Sequence, residues 1–85
     1  MDRIALVTGA GSGIGRAVAI RLSQAGLRVV LAGRGAAALA VTAAACPGPT
    51  LAVPADVTDP RAVDRLFAQA EHERGPVEIL AACAG

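Results

Sequence analysis

Four glycines fall on every second position of the stretch Thr8-Gly9-Ala10-Gly11-Ser12-Gly13-Ile14-Gly15. Without β-carbons, a ligand can come close to the backbone, and positive φ is open to the chain where it reverses. Ile14, Ala17, Val18 and Leu22 follow at helical spacing. The stretch therefore opens a helix, whose first N–H groups are free and together carry about half a positive charge. That is a seat for a pyrophosphate, to be held by Thr8, Gly9, Gly11, Ser12, Gly13, Ile14 and Gly15. A plain strand-to-helix turn needs only one or two glycines.

The spacing narrows the ligand. A Walker loop ends in Gly-Lys-Ser/Thr, and the chain has no lysine. The G-x-G-x-x-G fingerprint fails too, because its third glycine would fall on Ile14 or on Arg16. Gly9, Gly13 and Gly15 instead form G-x-x-x-G-x-G behind Thr8.

Three later positions carry further information. At the end of the second apolar run stand Gly33 and Arg34, where a dinucleotide fold meets the adenosine ribose. An acid there would hold the 2′-hydroxyl of NAD; a guanidinium can instead grip a 2′-phosphate with two hydrogen bonds. NADP(H) is thus expected in preference to NAD(H), although Arg34 could also be an ordinary surface arginine. Asp56 and Val57 follow the third run, where the carboxylate could accept from an adenine amino group and Val57 could cover the ring. Asp56 could equally cap the loop before Thr58-Asp59-Pro60, and both readings stand. Ala84 and Gly85 would leave bare backbone beside the cofactor, although a strand end of small residues accounts for them equally well.

The elements that must position these residues alternate along the chain. Arg3 to Val7 or Thr8 reads as a strand buried on both faces, followed by a helix from about Ser12 to Gln24, with Gly26 as its C′ stop. Arg28 to Ala32 makes a second strand parallel to the first. Ala36 to Ala45 is a helix by propensity, and Thr50 to Val53 a third strand. Asp59-Pro60 starts a third helix, with the acid as N-cap and the proline at N1. Its Val63, Leu66, Phe67 and Ala70 lie at i, i+3, i+4 and i+7, the expected buried face. Gly75-Pro76 ends it, and Val77 to Cys83 is a fourth strand. The pattern β-α-β-α-β-α-β predicts an α/β fold, a partial Rossmann-like doubly wound parallel sheet in the order 3-2-1-4. The ligand would sit where the order reverses, at the carboxyl ends of strands one and four.

Composition removes other classes. Eight basic against seven acidic residues leave a net charge of +1, and the arginines are scattered, which speaks against nucleic acid. Gly35 to Ala55 is uncharged, but Pro47, Pro49 and Pro54 break it, so no membrane span is expected. Cys46 and Cys83 read as free thiols of a cytoplasmic protein, and with the single His72 they offer no metal site. His72, flanked by Glu71 and Glu73, reads as solvated. Arg16, in the first turn of the glycine helix, could approach a phosphate or point to solvent.

Together Thr8 to Gly15, Asp56-Val57 with Thr58-Asp59, and Ala84-Gly85 resemble the amino-terminal half of a classical short-chain dehydrogenase/reductase. The resemblance covers essentially the whole chain. It implies a Rossmann fold, NAD(P)(H), and hydride transfer between nicotinamide and an alcohol or carbonyl substrate. The ending Ala32-Gly33-Arg34 resembles NADP(H)-preferring members. Two departures stand out. The family's Asn-Asn-Ala-Gly appears as Ala82-Cys83-Ala84-Gly85, and the catalytic Tyr-x-x-x-Lys with its Ser and Asn has no counterpart, since the chain contains no Tyr, Lys or Asn.

Residues 1–85 are therefore expected to form an incomplete NAD(P)-binding half-domain with the catalytic half absent and no catalytic residue to name. A non-catalytic nucleotide-sensing or partner-binding module, or a decayed gene product, is the alternative. The apolar fourth strand would lie at an open edge, so a homo-oligomer or self-association there is expected.

Overall fold

The computed structural model describes residues 3–83. Seven elements alternate: β1 (Ile4–Thr8), α1 (Gly13–Gln24), β2 (Arg28–Gly33), α2 (Ala36–Ala45), β3 (Thr50–Pro54), α3 (Pro60–Arg74) and β4 (Ile79–Ala82). All four strands are parallel, in the order β3-β2-β1-β4. Ala84 and Gly85 lie outside the described residues. The uncharged stretch 35–55 resolves into α2, a turn and β3. No helix among the described residues is long and apolar enough to cross a membrane.

The period-two alternation of each strand divides the core into two layers. Ile4 and Leu6 of β1, with Val30 and Ala32 of β2, face Leu66 and Ala70 of α3. Val7, Val29 and Leu31 face the other way, onto Ala19 of α1 and Leu39 of α2. The inner strands β1 and β2 are covered on both sides, which is why they read as unbroken apolar runs.

The helix ends follow local chemistry. Gly26 takes φ 95 after α1, and the Leu27 N–H returns to the Leu22 carbonyl at 3.2 Å, closing a Schellman turn. Asp59 caps α3 by accepting from the Arg61 N–H at 3.0 Å, with Pro60 in the first turn. Ser12 stands at the N-cap of α1, so the helix itself begins at Gly13, and the Ser12 side chain makes no capping bond.

Two expectations need correction. The buried stripe of α3 is Ala62, Leu66 and Ala70, while Val63 and Phe67 are only half-buried. Small alanines let the helix lie close to the sheet, and the bulky Phe67 is left packing at the rim beside the core. β4 is also shorter than Val77 to Cys83. It pairs residues 79–82 with Ala5 to Thr8, and β1 then turns away at Gly9, leaving Cys83 no strand to pair with.

At the open side of the sheet, Leu80 lies opposite Leu6 and so on the α3 side, yet it is 54% exposed. The α3 helix packs over β1, β2 and β3 and leaves this residue of β4 bare.

Candidate functional site

β1, β2 and β3 end at the same side of the sheet, and the loops leaving them surround a cleft of about 500 Å³. Gly9, Gly11 and Ser12 form one wall, Gly33, Arg34 and Gly35 the second, Ala55 to Thr58 the third; Ala38, Leu39 and Cys83 close it. Six of the residues singled out in the sequence thus meet here: Gly9, Gly11, Ser12, Arg34, Asp56 and Val57. They come from positions up to 48 residues apart (57 − 9), brought together by the parallel strand ends.

The remaining members of the glycine stretch are placed differently. The Thr8 hydroxyl accepts from the Cys83 N–H at 3.2 Å and so ties the end of β1 to the end of β4. Gly15 is buried inside α1, where a Cβ would stand 1.9 Å from the Gly9 carbonyl oxygen. Its missing side chain lets helix and strand approach each other. Gly9 is doubly constrained, since φ is +63 and a Cβ would lie 2.4 Å from the Cys83 oxygen. Gly13 opens the helix with nothing within 4 Å of the place a Cβ would take, and Ile14 is 75% exposed.

Asp56 does cap its loop. Its Oδ1 accepts from the Thr58 N–H at 2.9 Å and from the Thr58 hydroxyl at 2.6 Å. The Arg34 guanidinium donates to the same oxygen at 3.3 Å, an exposed pair worth little by itself. The Thr58 hydroxyl bond first, then its N–H, and then the Arg34 charge hold the Asp56 carboxyl below its usual value of 3.8. A depressed carboxyl contributes to stability above its unfolded value, and that contribution is lost as the pH falls through its folded one. Carboxyl NMR titration of Asp56 should therefore give a midpoint below 3.8, and Thr58→Ala should move it up. An unchanged midpoint in the variant would show that Thr58 does not hold the carboxylate.

Sequence reading missed the α2 wall. Ala38 and Leu39 looked only like helix formers, yet a Cβ on Gly11 would lie 3.0 Å from the Ala38 Cβ. The repeated small residue was the available signal. Also unforeseen was the bonding of Arg16, whose Nε donates to the hydroxyl of buried Thr42 at 2.9 Å and whose Nη2 donates to the Gly11 carbonyl. Arg16 is turned onto the loop backbone. His72 is exposed on α3, as expected. Among the described residues no group of three or more His, Cys, Asp or Glu is arranged to hold a metal ion.

The cleft lies over the carboxyl ends of β1, β2 and β3, not between strands one and four as expected, because the loops after β2 and β3 supply most of its walls and β4 only Cys83. The family model for short chain dehydrogenase matches residues 3–85. The chain belongs to the short-chain dehydrogenase family. The chain is 42% identical over 85 residues to the 3-oxoacyl-[acyl-carrier-protein] reductase MabA of Mycobacterium tuberculosis (strain H37Rv), covering all of this chain and 31% of that protein. It is 44% identical to an uncharacterized oxidoreductase of Staphylococcus aureus (strain MRSA252), covering 99% of the chain and 37% of the relative. Among solved structures, an actinorhodin polyketide ketoreductase variant with NADPH superposes with a TM-score of 0.92 at 36% identity, covering 99% of this chain and 33% of the other. The chain spans about a third of the length of these short-chain dehydrogenase relatives.

The cleft fits the nicotinamide dinucleotide that this family implies. Bare glycine backbone and the Arg34 guanidinium both line it, and the volume lies within the range of about 300–1,000 Å³ usual for small-molecule sites.

Proposed function

We propose that residues 1–85 are the dinucleotide-binding portion of an NADP(H)-dependent oxidoreductase acting on an alcohol or carbonyl substrate. The observation that carries this reading is the pairing, in one cleft, of the side-chain-free loop at Gly9 and Gly11 with the Arg34 guanidinium. The loop and the start of α1, through Thr8, Gly9, Gly11, Ser12, Gly13, Ile14 and Gly15, would seat or shape the seat of the pyrophosphate. Arg34 would take the 2′-phosphate. A phosphate dianion attracts a guanidinium more strongly than the single Asp56 carboxylate does, so the existing pair is a resting place for Arg34. All three bonds to Asp56 converge on Oδ1, which leaves Oδ2 for an adenine amino group, with Val57 against the ring. Ala84 and Gly85 would follow on the nicotinamide side.

The bound nicotinamide would supply the hydride. The Tyr-x-x-x-Lys pair by which the family reduces carbonyls has no counterpart in these 85 residues, which contain no Tyr, Lys or Asn, so no proton donor is assigned among them. The relatives support carbonyl reduction: one is a 3-oxoacyl-[acyl-carrier-protein] reductase, and the ketoreductase structure was solved with NADPH.

Titration of the chain with NADPH and with NADH, followed by nicotinamide fluorescence, tests the proposal. Tighter binding of NADPH supports it. A folded chain indifferent to both would favour a non-catalytic module instead. The bare β4 edge is expected to make the chain self-associate, with Leu80 at the contact. Size-exclusion at rising concentration should show growing apparent mass, reduced by Leu80→Lys; a concentration-independent monomer would refute the contact.

A further inference from the structure

On the reading proposed above, that Gly11 and Ser12 meet a pyrophosphate, the glycine loop must be held still enough to do so. Glycines lose the most conformational freedom on ordering, so a bare loop needs external bonds to keep one arrangement. Arg16 and Thr42 supply them. Thr42 is fully buried in α2, and its hydroxyl accepts from Arg16 Nε at 2.9 Å and donates to the Ala10 carbonyl at 2.7 Å. A mid-helix threonine ordinarily bonds the carbonyl four residues back. Here that distance, to Ala38, is the longer one at 3.3 Å, so the hydroxyl is drawn out of its own helix toward the loop. Arg16 Nη2 takes the next carbonyl, that of Gly11. A cation in the first turn of a helix works against the helix dipole, and these bonds offset that cost. On the other flank, the Ala10 N–H is pinned to the Ala32 carbonyl of β2 at 3.0 Å.

In a planar trans peptide, a carbonyl and the following N–H point in opposite directions. Holding the Ala10 and Gly11 carbonyls toward Thr42 and Arg16 therefore turns the Gly11 and Ser12 N–H groups the opposite way, on two residues that line the cleft. We infer that Arg16 and Thr42 are positioning residues, which aim the loop amides at the pyrophosphate without touching the cofactor.

The test uses the 85-residue chain and two ligands: NADPH, and 2′-AMP, which keeps the adenine and 2′-phosphate but has no pyrophosphate. Thr42→Val preserves volume and the Arg16 charge while removing the hydroxyl. It should weaken NADPH by about 10-fold, the scale of one misdirected hydrogen bond to a charged group, and leave 2′-AMP unchanged. Thr42→Ser should restore NADPH. Equal weakening of both ligands would mean a merely structural role, and unchanged NADPH binding would mean that the loop needs no such support; either overturns the inference. Should Thr42→Val fail to fold, Arg16→Met at a half-buried position decides by the same two ligands. A wild-type chain that binds 2′-AMP but not NADPH would also overturn it, whereas one that binds neither would overturn the dinucleotide reading itself.

Discussion

Gly15→Ala is expected to destabilise the fold strongly. The added Cβ would lie 1.9 Å from the Gly9 oxygen, 2.6 Å from the Gly9 carbon and 3.2 Å from the Ala10 nitrogen. All three are backbone atoms, so no side chain can rotate aside. Relief requires α1 to lift from β1, which breaks the packing of Ala19 on Val7 and Val29. Overpacking of a core typically costs about 1–3 kcal/mol, and a backbone clash belongs at the upper end. A domain of this size holds only about 4–13 kcal/mol in total, and each kcal/mol moves its melting temperature by about 4–8 °C. A drop of roughly 10–20 °C, or no cooperative transition at all, is expected by circular dichroism. Gly13→Ala is the comparison: the Cβ site there is empty, and only the positive φ of 56 is strained, a cost of about 1–2 kcal/mol. If the two variants melt alike, helix and strand do not approach as closely as described.

Arg34→Asp should reverse the proposed preference for NADPH over NADH. The wild-type Arg34 side chain is 73% exposed and pairs with Asp56 at 3.3 Å, an exposed contact that a 2′-phosphate would outcompete. The substitution removes a charge-assisted contact worth about 1.5–3 kcal/mol and places a carboxylate that repels the phosphate and accepts from a 2′-hydroxyl. NADPH should weaken on the order of 100-fold while NADH holds or improves, measured by fluorescence titration at one ionic strength. Arg34→Gln should lose NADPH without gaining NADH. A chain in which Arg34→Asp leaves the ratio of the two affinities unchanged would remove Arg34 from the site.

These two residues show how differently the sequence speaks about different positions. Arg34 could be placed just past the end of β2, where it lines the cleft, because the apolar run before it marks where that strand stops. Gly15 could be marked as special by spacing, but its spacing looked the same as that of Gly13. One glycine admits the neighbouring strand and the other faces open space, a distinction that depends on how α1 lies on β1. Asp56 had two readings of equal standing, and the loop-capping one is observed in its bonds to Thr58.

By itself, the sequence determined the alternation of strands and helices, the parallel sheet, the order β3-β2-β1-β4 and the site at the strand ends. The alternation and the parallel sheet follow from periodicity and from helix stops and caps, while the order and the candidate site follow from the doubly wound dinucleotide-binding pattern to which the glycine turn points. Only the tertiary structure decided which loop atoms are held and by what. The Arg16–Thr42 contact joins residues 26 apart, and the Thr8–Cys83 contact joins residues 75 apart. It also decided that Ala62 and not Val63 faces the core, and that Leu80 stays bare. Such facts turn on rotations of a few tens of degrees and on gaps of an ångström between docked elements. Local patterns cannot specify these, because they depend on the shapes of side chains that meet only after the chain has folded.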